Sequence, residues 1–437
     1  MKLDLPNNPV LKELRLTAFK SYRNATLPID DFTLIIGRNG SGKSNALDAL
    51  WVLSRLVSGD DIREALDGNR EGSSVRGGVY GCTPFGEASF SLGCTIWTNS
   101  GTVEFDVTIS RATTQVVHER LALNGEEVLV TEAPDPNSSD IGARWVNGKQ
   151  GPNPAVPFRA SRLLITQVMS RIPVSPSGER IHEAASQMVA TLKGVFVLDP
   201  VPSEMRNYVN GRDHLLRRDS SNLSAAIADL LKTPSNKDRL LRSMNELNEQ
   251  EVIDLVVYPS QLGDVLLAVK ERTPTGGTAD VSAQLLSDGT LRFLAVLTAL
   301  MQSEEFDDSL RSDEPQAKNQ IVLEELENGL HASQAHTLVE SIRESIKSGG
   351  VRVLTTAHSP VVLDALLKEE HRSVIVCQRG QDGRSTLQRL VDLDGYLRIA
   401  TMSSLGVAAV RDSIRSRPEL TTTEGLDFLD GLLGKAS

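Results

Sequence analysis

FTLIIGRNGSGKSNALDALWVL, residues 32–53, joins two opposite kinds of sequence. Phe32 to Ile36 is short, apolar and β-branched, and it stops at Gly37, which predicts a buried strand. Beyond Lys43, the residues Leu47, Leu50, Leu53 and Val57 recur at helical spacing. Between them, Gly37-Arg38-Asn39-Gly40-Ser41-Gly42-Lys43-Ser44 fits the pattern G-x-x-x-x-G-K-[ST]. A loop in this position ends at a helix N-terminus, where backbone N–H groups and the helix dipole favour an anion. Gly40 and Gly42 let the chain curl around phosphates. Lys43 supplies a positive charge for the β- and γ-phosphates, and the Ser44 hydroxyl suits Mg²⁺. Asn45 completes the nucleotide-contacting set.

Working outward, the residues before this stretch, LKELRLTAFKSYRNATLPI, predict two strands. Ala88 to Val130 alternates as an antiparallel meander does, with Asn124-Gly125 as a hairpin turn. APDPNSSD and KQGPNPAVP predict loops, RLLITQ a short strand, and residues 178–200 a helix followed by a strand. Leu215 to Gln250 is expected to be helical. With Arg212 just before it, the segment forms the one basic cluster, Arg212, Arg217, Arg218, Arg239 and Arg242, where DNA, if bound, is expected to sit. EVIDLVVYP and DVLLAVKER predict a hairpin. After Ser282 helices and strands alternate, as in a parallel sheet.

Three further motifs lie in that last part. In LLSDGTLRFLAVLTAL, Ser287 is a good N-cap, and Leu291, Leu294, Ala295, Thr298 and Ala299 are expected on one buried face. In IVLEELENGLH, a buried strand ends in Glu324 and Glu325; two carboxylates there are costly without a cation or a chemical task. Glu324 is expected to hold Mg²⁺, and Glu325 to orient or deprotonate an attacking water. In VRVLTTAHSPVVLDAL, His358 follows the next strand, within reach of a γ-phosphate.

The order of these motifs resembles the Walker A, signature, Walker B and switch-histidine elements of ABC-type ATPases. LTAFKSYRNATLPIDDFTLIIGRNGSGKSN is similar to the opening of SMC-like, RecF-like and OLD-like ATPases. LSDGTLRFLAVL, EELENGLH, TTAHSP and VFVLDPVPSEMRNYV resemble the AAA_21-type ATPases of that superfamily. Two positions depart from the family pattern: Leu326 replaces a proline, and Ala332 follows His331 where His-Pro is usual. The resemblance implies an α/β, ABC-ATPase-like P-loop fold with a mixed β lobe, a parallel α/β lobe and a helical insertion. It implies a single domain over residues 1–437, with a β-rich lobe over 1–170, a helical insertion and β-hairpin over 171–280, and an α/β lobe over 281–437. It makes Gln167 the candidate Q-loop glutamine, touching Mg²⁺. It also implies ATP and Mg²⁺ as cofactors, and a homodimer in which Ser287 and Gly289 of one copy close over ATP held by the other. The output would be action on DNA, or on a separate effector such as a nuclease or toxin, in DNA repair or anti-phage defence. The alternatives are an ATP-gated scaffold or toxin-sequestering partner with little turnover, and a transporter's nucleotide-binding subunit.

Composition narrows this. Apolar residues make up 40% of the 437-residue chain, enough for a large core, and the net charge of −11 argues against general polyanion binding. Cys82, Cys94 and Cys377 form no metal-binding set, and buried thiols are expected. No apolar run approaches membrane-span length and no signal peptide is visible, so a cytoplasmic, reducing compartment is expected. No sustained heptads predict a coiled-coil arm. Asp392-Leu393-Asp394 matches half of a TOPRIM nuclease pattern, but SVIVCQRG supplies no glutamate partner, so a strand-end turn and no built-in nuclease are expected.

Overall fold

The computed structural model describes residues 8–68, 74–135, 138–247, 250–309, 319–394, 396 and 404–410, excepting the side chains at 305–309 and 408–410. The first strands are β1 (Val10–Phe19), β2 (Tyr22–Pro28) and β3 (Phe32–Ile36). The meander is β4 (Ser89–Thr98), β5 (Gly101–Ser110), β6 (Val116–Leu123), β7 (Glu126–Thr131), β8 (Asp140–Trp145) and β9 (Ala155–Arg159). Next come β10 (Val195–Leu198), β11 (Val209–Asn210), β12 (Val252–Pro259), β13 (Asp264–Arg272) and β14 (Thr278–Ser282). The chain then forms β15 (Asn319–Leu323), β16 (Val351–Ala357), β17 (Val374–Arg379) and β18 (Ser385–Arg389).

A 14-stranded sheet runs β10-β15-β16-β3-β17-β18-β2-β1-β4-β5-β6-β7-β8-β9, and β11 to β14 form a smaller sheet. The block from β10 to β17 is parallel, and the meander is antiparallel. The chain thus has the expected mixed α/β architecture, a parallel block continued by an antiparallel β lobe.

The two-residue period of β3 divides its burial between two cores. Ile35 packs with the phosphate-loop helix, Lys43–Leu56, whereas Phe32, Leu34 and Ile36 pack with the helix Asp288–Ser309. Strand β15 does the same through Val322 on one face and Ile321 and Leu323 on the other. Covered on both faces, these strands are apolar throughout, as parallel strands in α/β folds are. Register aligns the carboxyl ends: Leu198 pairs with Leu323, Leu323 with Thr355, and Ala357 with Ile36. Asp199, Glu324, His358 and Gly37 therefore follow neighbouring strands at one edge, where α/β sheets bind ligands.

Several expectations need correction. RLLITQ is not a strand: Leu164–Thr166 is a 3₁₀ turn. Both oxygens of the buried Glu119 carboxylate take the amides of Leu164 and Ile165 at 2.8 Å, removing donors a ladder would use. The loops around residues 132–154 include β8, and the meander ends in β9. Residues 215–222 are not helical; helices span Leu223–Leu230 and Pro234–Leu247, and 248–249 lie outside the described residues. Asn222 bonds the carbonyls of Asp213 and Leu215 and the amide of Arg217, competing with helical bonding. The helix Asp288–Ser309 buries more than one face, because Phe293, Val296, Leu297 and Leu300 are as inaccessible as the expected stripe. The three thiols are buried and free, as expected.

Candidate nucleotide site

The phosphate loop is shaped by glycines that cannot be replaced without collision or strain. Gly40 has φ +77° with open space around it, so its demand is conformational alone. Gly42 has φ +116°, and a Cβ there would lie 2.4 Å from the Ser385 hydroxyl. Behind the loop, Tyr22 donates to the Gly42 carbonyl at 2.9 Å, and Ser385 donates to Ser41 O at 2.5 Å. Lys43 is buried, with Nζ donating to Gly37 O at 2.8 Å and Arg38 O at 3.0 Å. Burial lowers its pKa, against the carboxylates of Glu325, Glu327 and Glu324 nearby. Asn39 is exposed at the loop tip. Asn45 donates to Ser21 Oγ at 2.9 Å, and so braces the β1–β2 turn against the helix. The Ser41 hydroxyl is buried without a hydrogen-bond partner.

The acidic turn after β15 meets this loop. The Ser44 hydroxyl stands near the Glu324 carboxylate, close enough to help hold its pKa down. Burial pushes the Glu324 carboxyl up, but the Arg76 bond, the Ser44 hydroxyl and the charge of Arg218 outweigh it and hold the group below its usual range. Glu325 stands at φ +53°, a left-handed conformation disfavoured for a residue with a Cβ. Its Oε1 lies 3.7 Å from His358 Nε2. The Gly37 backbone stands beside the imidazole and favours its protonated form. Burial and the Lys43 charge lower the His358 pKa against the pull of Glu327 and Glu325, so the ring is neutral at physiological pH.

The signature segment is built as its sequence predicts. Ser287 Oγ accepts the Thr290 amide at 3.1 Å, capping the helix. Gly289 packs on the acidic turn, where a Cβ would lie 2.3 Å from Gly329 O. Arg206 donates to the carbonyls of Ala283, Gln284 and Leu286 at 3.2, 3.1 and 2.7 Å, and pairs with Asp288.

Gln167 is not brought to this cluster. Its amide nitrogen bonds the carbonyls of Arg159, Arg162 and Leu163, and its oxygen takes the Arg159 amide. The strand beside β15 is β10, and the residue that follows it is Asp199. The signal was visible: VFVL-Asp199 repeats the apolar-run-then-carboxylate pattern of IVL-Glu324. Arg76 was not foreseeable, because it comes from a loop without periodicity, yet it pairs with Glu324 and lies 3.9 Å from Asp48. Lys20 bonds Asp48 at 2.7 Å. Three arginines of the expected basic cluster are engaged by different acids. Arg218 pairs with Asp199 and stacks on Trp51 at 3.7 Å, Arg217 pairs with Asp213, and Arg239 pairs with Glu304.

Two family models match the two halves of this site. One, described as an AAA domain, putative AbiEii toxin, Type IV TA system, covers residues 174–364, including the signature helix, acidic turn and His358. The other, the RecF/RecN/SMC N-terminal domain, covers residues 10–69, including the phosphate loop. Over both halves of the site the chain is similar to ATPases of the SMC/RecF-like group. It is 43% identical over 54 residues to the chromosome partition protein Smc of Methanococcus voltae, matching 12% of this chain and 4% of that protein. The chain thus spans only a small part of that relative. An ATP/GTP phosphatase of Helicobacter pylori is 21% identical over 399 residues, covering 85% of this chain and 93% of that protein. Among solved structures, the SMC head domain from Thermotoga maritima aligns with 87% of this chain and 98% of its own at 16% identity, with a TM-score of 0.41. Among the described residues, no helix is long and apolar enough to cross a membrane.

Proposed function

We propose that this chain is an SMC/RecF-like ATPase that binds Mg-ATP at the loop Gly37–Ser44, hydrolyses it slowly, and uses the cycle to engage and release a second copy of itself. The observation that carries the reading is the strand register that brings the loop and Glu324 to one edge of the sheet, with the Ser44 hydroxyl near the Glu324 carboxylate. Two oxygen donors side by side suit a hard cation such as Mg²⁺, with Asp199 at the neighbouring strand end as a further oxygen donor. Bound there, the ion offsets charge on the phosphate oxygens. Lys43 turns from the carbonyls of Gly37 and Arg38 to the β- and γ-phosphates. Glu325 accepts a proton from the attacking water, and neutral His358 hydrogen-bonds the terminal phosphate. Ser287 and Gly289 close over the nucleotide of the partner copy. The pairing of Arg217, Arg218 and Arg239 with acids favours a separate protein effector over DNA as the target of the switch.

The test is phosphate release and molecular mass, measured together on the full chain with and without Mg-ATP. Turnover accompanied by ATP-dependent dimerisation is expected. A chain that dimerises with ATP and releases no phosphate would instead be an ATP-gated scaffold.

A further inference from the structure

One residue of the acidic turn has no place in the mechanism above. Glu327 Oε1 accepts the backbone amide of Ser359 at 2.7 Å and that of His358 as well. Its Oε2 is buried without a hydrogen-bond partner. The first half of the turn is tied to β16 independently of Glu327: the Glu325 amide bonds Thr356 Oγ1 at 2.9 Å, and the Leu326 amide bonds Thr356 O at 3.0 Å. Those bonds hold the turn to Thr356, but His358 comes after the strand has ended. Past that point, Glu327 ties the chain back to the turn. Ser359 then caps the short helix Pro360–Asp364, its hydroxyl accepting the Val361 amide.

We propose that Glu327 is a positioning residue that clamps the amides of His358 and Ser359 to the turn bearing Glu325, and so sets the carboxylate–imidazole spacing across the site. A carboxylate receiving two adjacent amides is a strong, charge-assisted clamp. Its leverage is large because Glu325 already stands in a disfavoured conformation that its surroundings must maintain. The charged groups facing the imidazole are Lys43, Glu325 and Glu327 itself. The inference rests on the ATPase reading for its catalytic consequence, but not for the clamp.

The test compares Glu327→Ala and Glu327→Gln in the full chain. Glutamine keeps an oxygen that can accept both amides and loses only the charge. Alanine should lower kcat for Mg-ATP by ~10–100-fold, since displacement of about 1 Å costs about that much. The KM should stay within about twofold, because the phosphate-loop contacts, which supply most of the nucleotide's hold, are untouched. Glutamine should restore kcat to within about threefold of wild type. Hydrogen exchange at His358 and Ser359, which needs no turnover, should be at least ~10-fold faster in the alanine variant and near wild type in the glutamine variant. Should the alanine variant not fold, Glu327→Asp, shorter by one methylene, carries the same expectation for kcat and exchange. Wild-type kcat in Glu327→Ala, equal losses in the two variants, or unchanged exchange at both amides would overturn the proposal. A wild-type chain without turnover would remove the ATPase reading, and exchange would then judge the clamp alone.

Discussion

The Ser44 hydroxyl and the Glu324 carboxylate meet across the carboxyl end of β16, the strand that separates theirs in the sheet. One residue opens the phosphate-loop helix and the other ends the acidic strand. Neither motif is complete alone, and parallel register brings them together.

The same register separates two candidates for the residue beside Glu324. Asp199→Asn should raise the Mg²⁺ concentration needed for half-maximal turnover several-fold, because it removes one negative charge from the proposed cation site. Gln167→Ala should leave that requirement unchanged, since its amide is engaged with the backbone of Arg159 and Leu163. A magnesium titration of both variants checks this, and the opposite ranking would restore Gln167.

Glu119 makes a prediction about pH. Burial pushes its carboxyl up to about 8, although the amides of Leu164 and Ile165 pull it down. Between the ordinary carboxyl range and pH 8 the folded state then holds a proton that the unfolded state has lost. Stability should therefore fall as pH rises through that window, by at most ~1.4 kcal/mol per pH unit from this group. Glu119→Gln should flatten the slope between pH 6 and 8 in thermal unfolding. An unchanged slope would show that Glu119 is ionised when folded.

Much of the site was legible because its motifs carry local physics. Gly37 to Ser44 is flanked by a strand and a helix; Ser287 caps its helix; Glu324 and Glu325 end an apolar run. Other parts were not local. Arg76 and Arg206 act through folded loops that no periodicity marks. RLLIT looked like a strand because apolar β-branched runs do, and the distant Glu119 carboxylate overrode that propensity. The ion pairs of the basic cluster were not legible either, because Arg217, Arg218 and Arg239 meet different acids only once folded.

The dimer expectation is tested by complementation. Lys43→Ala and Ser287→Arg should each silence their own homodimers. Mixed, they should form dimers with one intact composite site, and up to about half the activity per mixed dimer should return if the sites fire independently. ATP-dependent association of the mixture, followed in parallel, distinguishes failed assembly from sites that fire only together. Assembled mixed dimers without any turnover would contradict independent composite sites.

The most direct measurement of the central claim is phosphate release by Glu325→Gln beside wild type, with ATP binding measured in the same samples. The substitution keeps the shape of the side chain that faces His358 at 3.7 Å and removes its basicity. Loss of a general base costs ~10²–10⁴ in rate, so turnover should fall by that factor while ATP affinity holds and ATP-bound dimers accumulate. Wild-type phosphate release by Glu325→Gln would contradict the account.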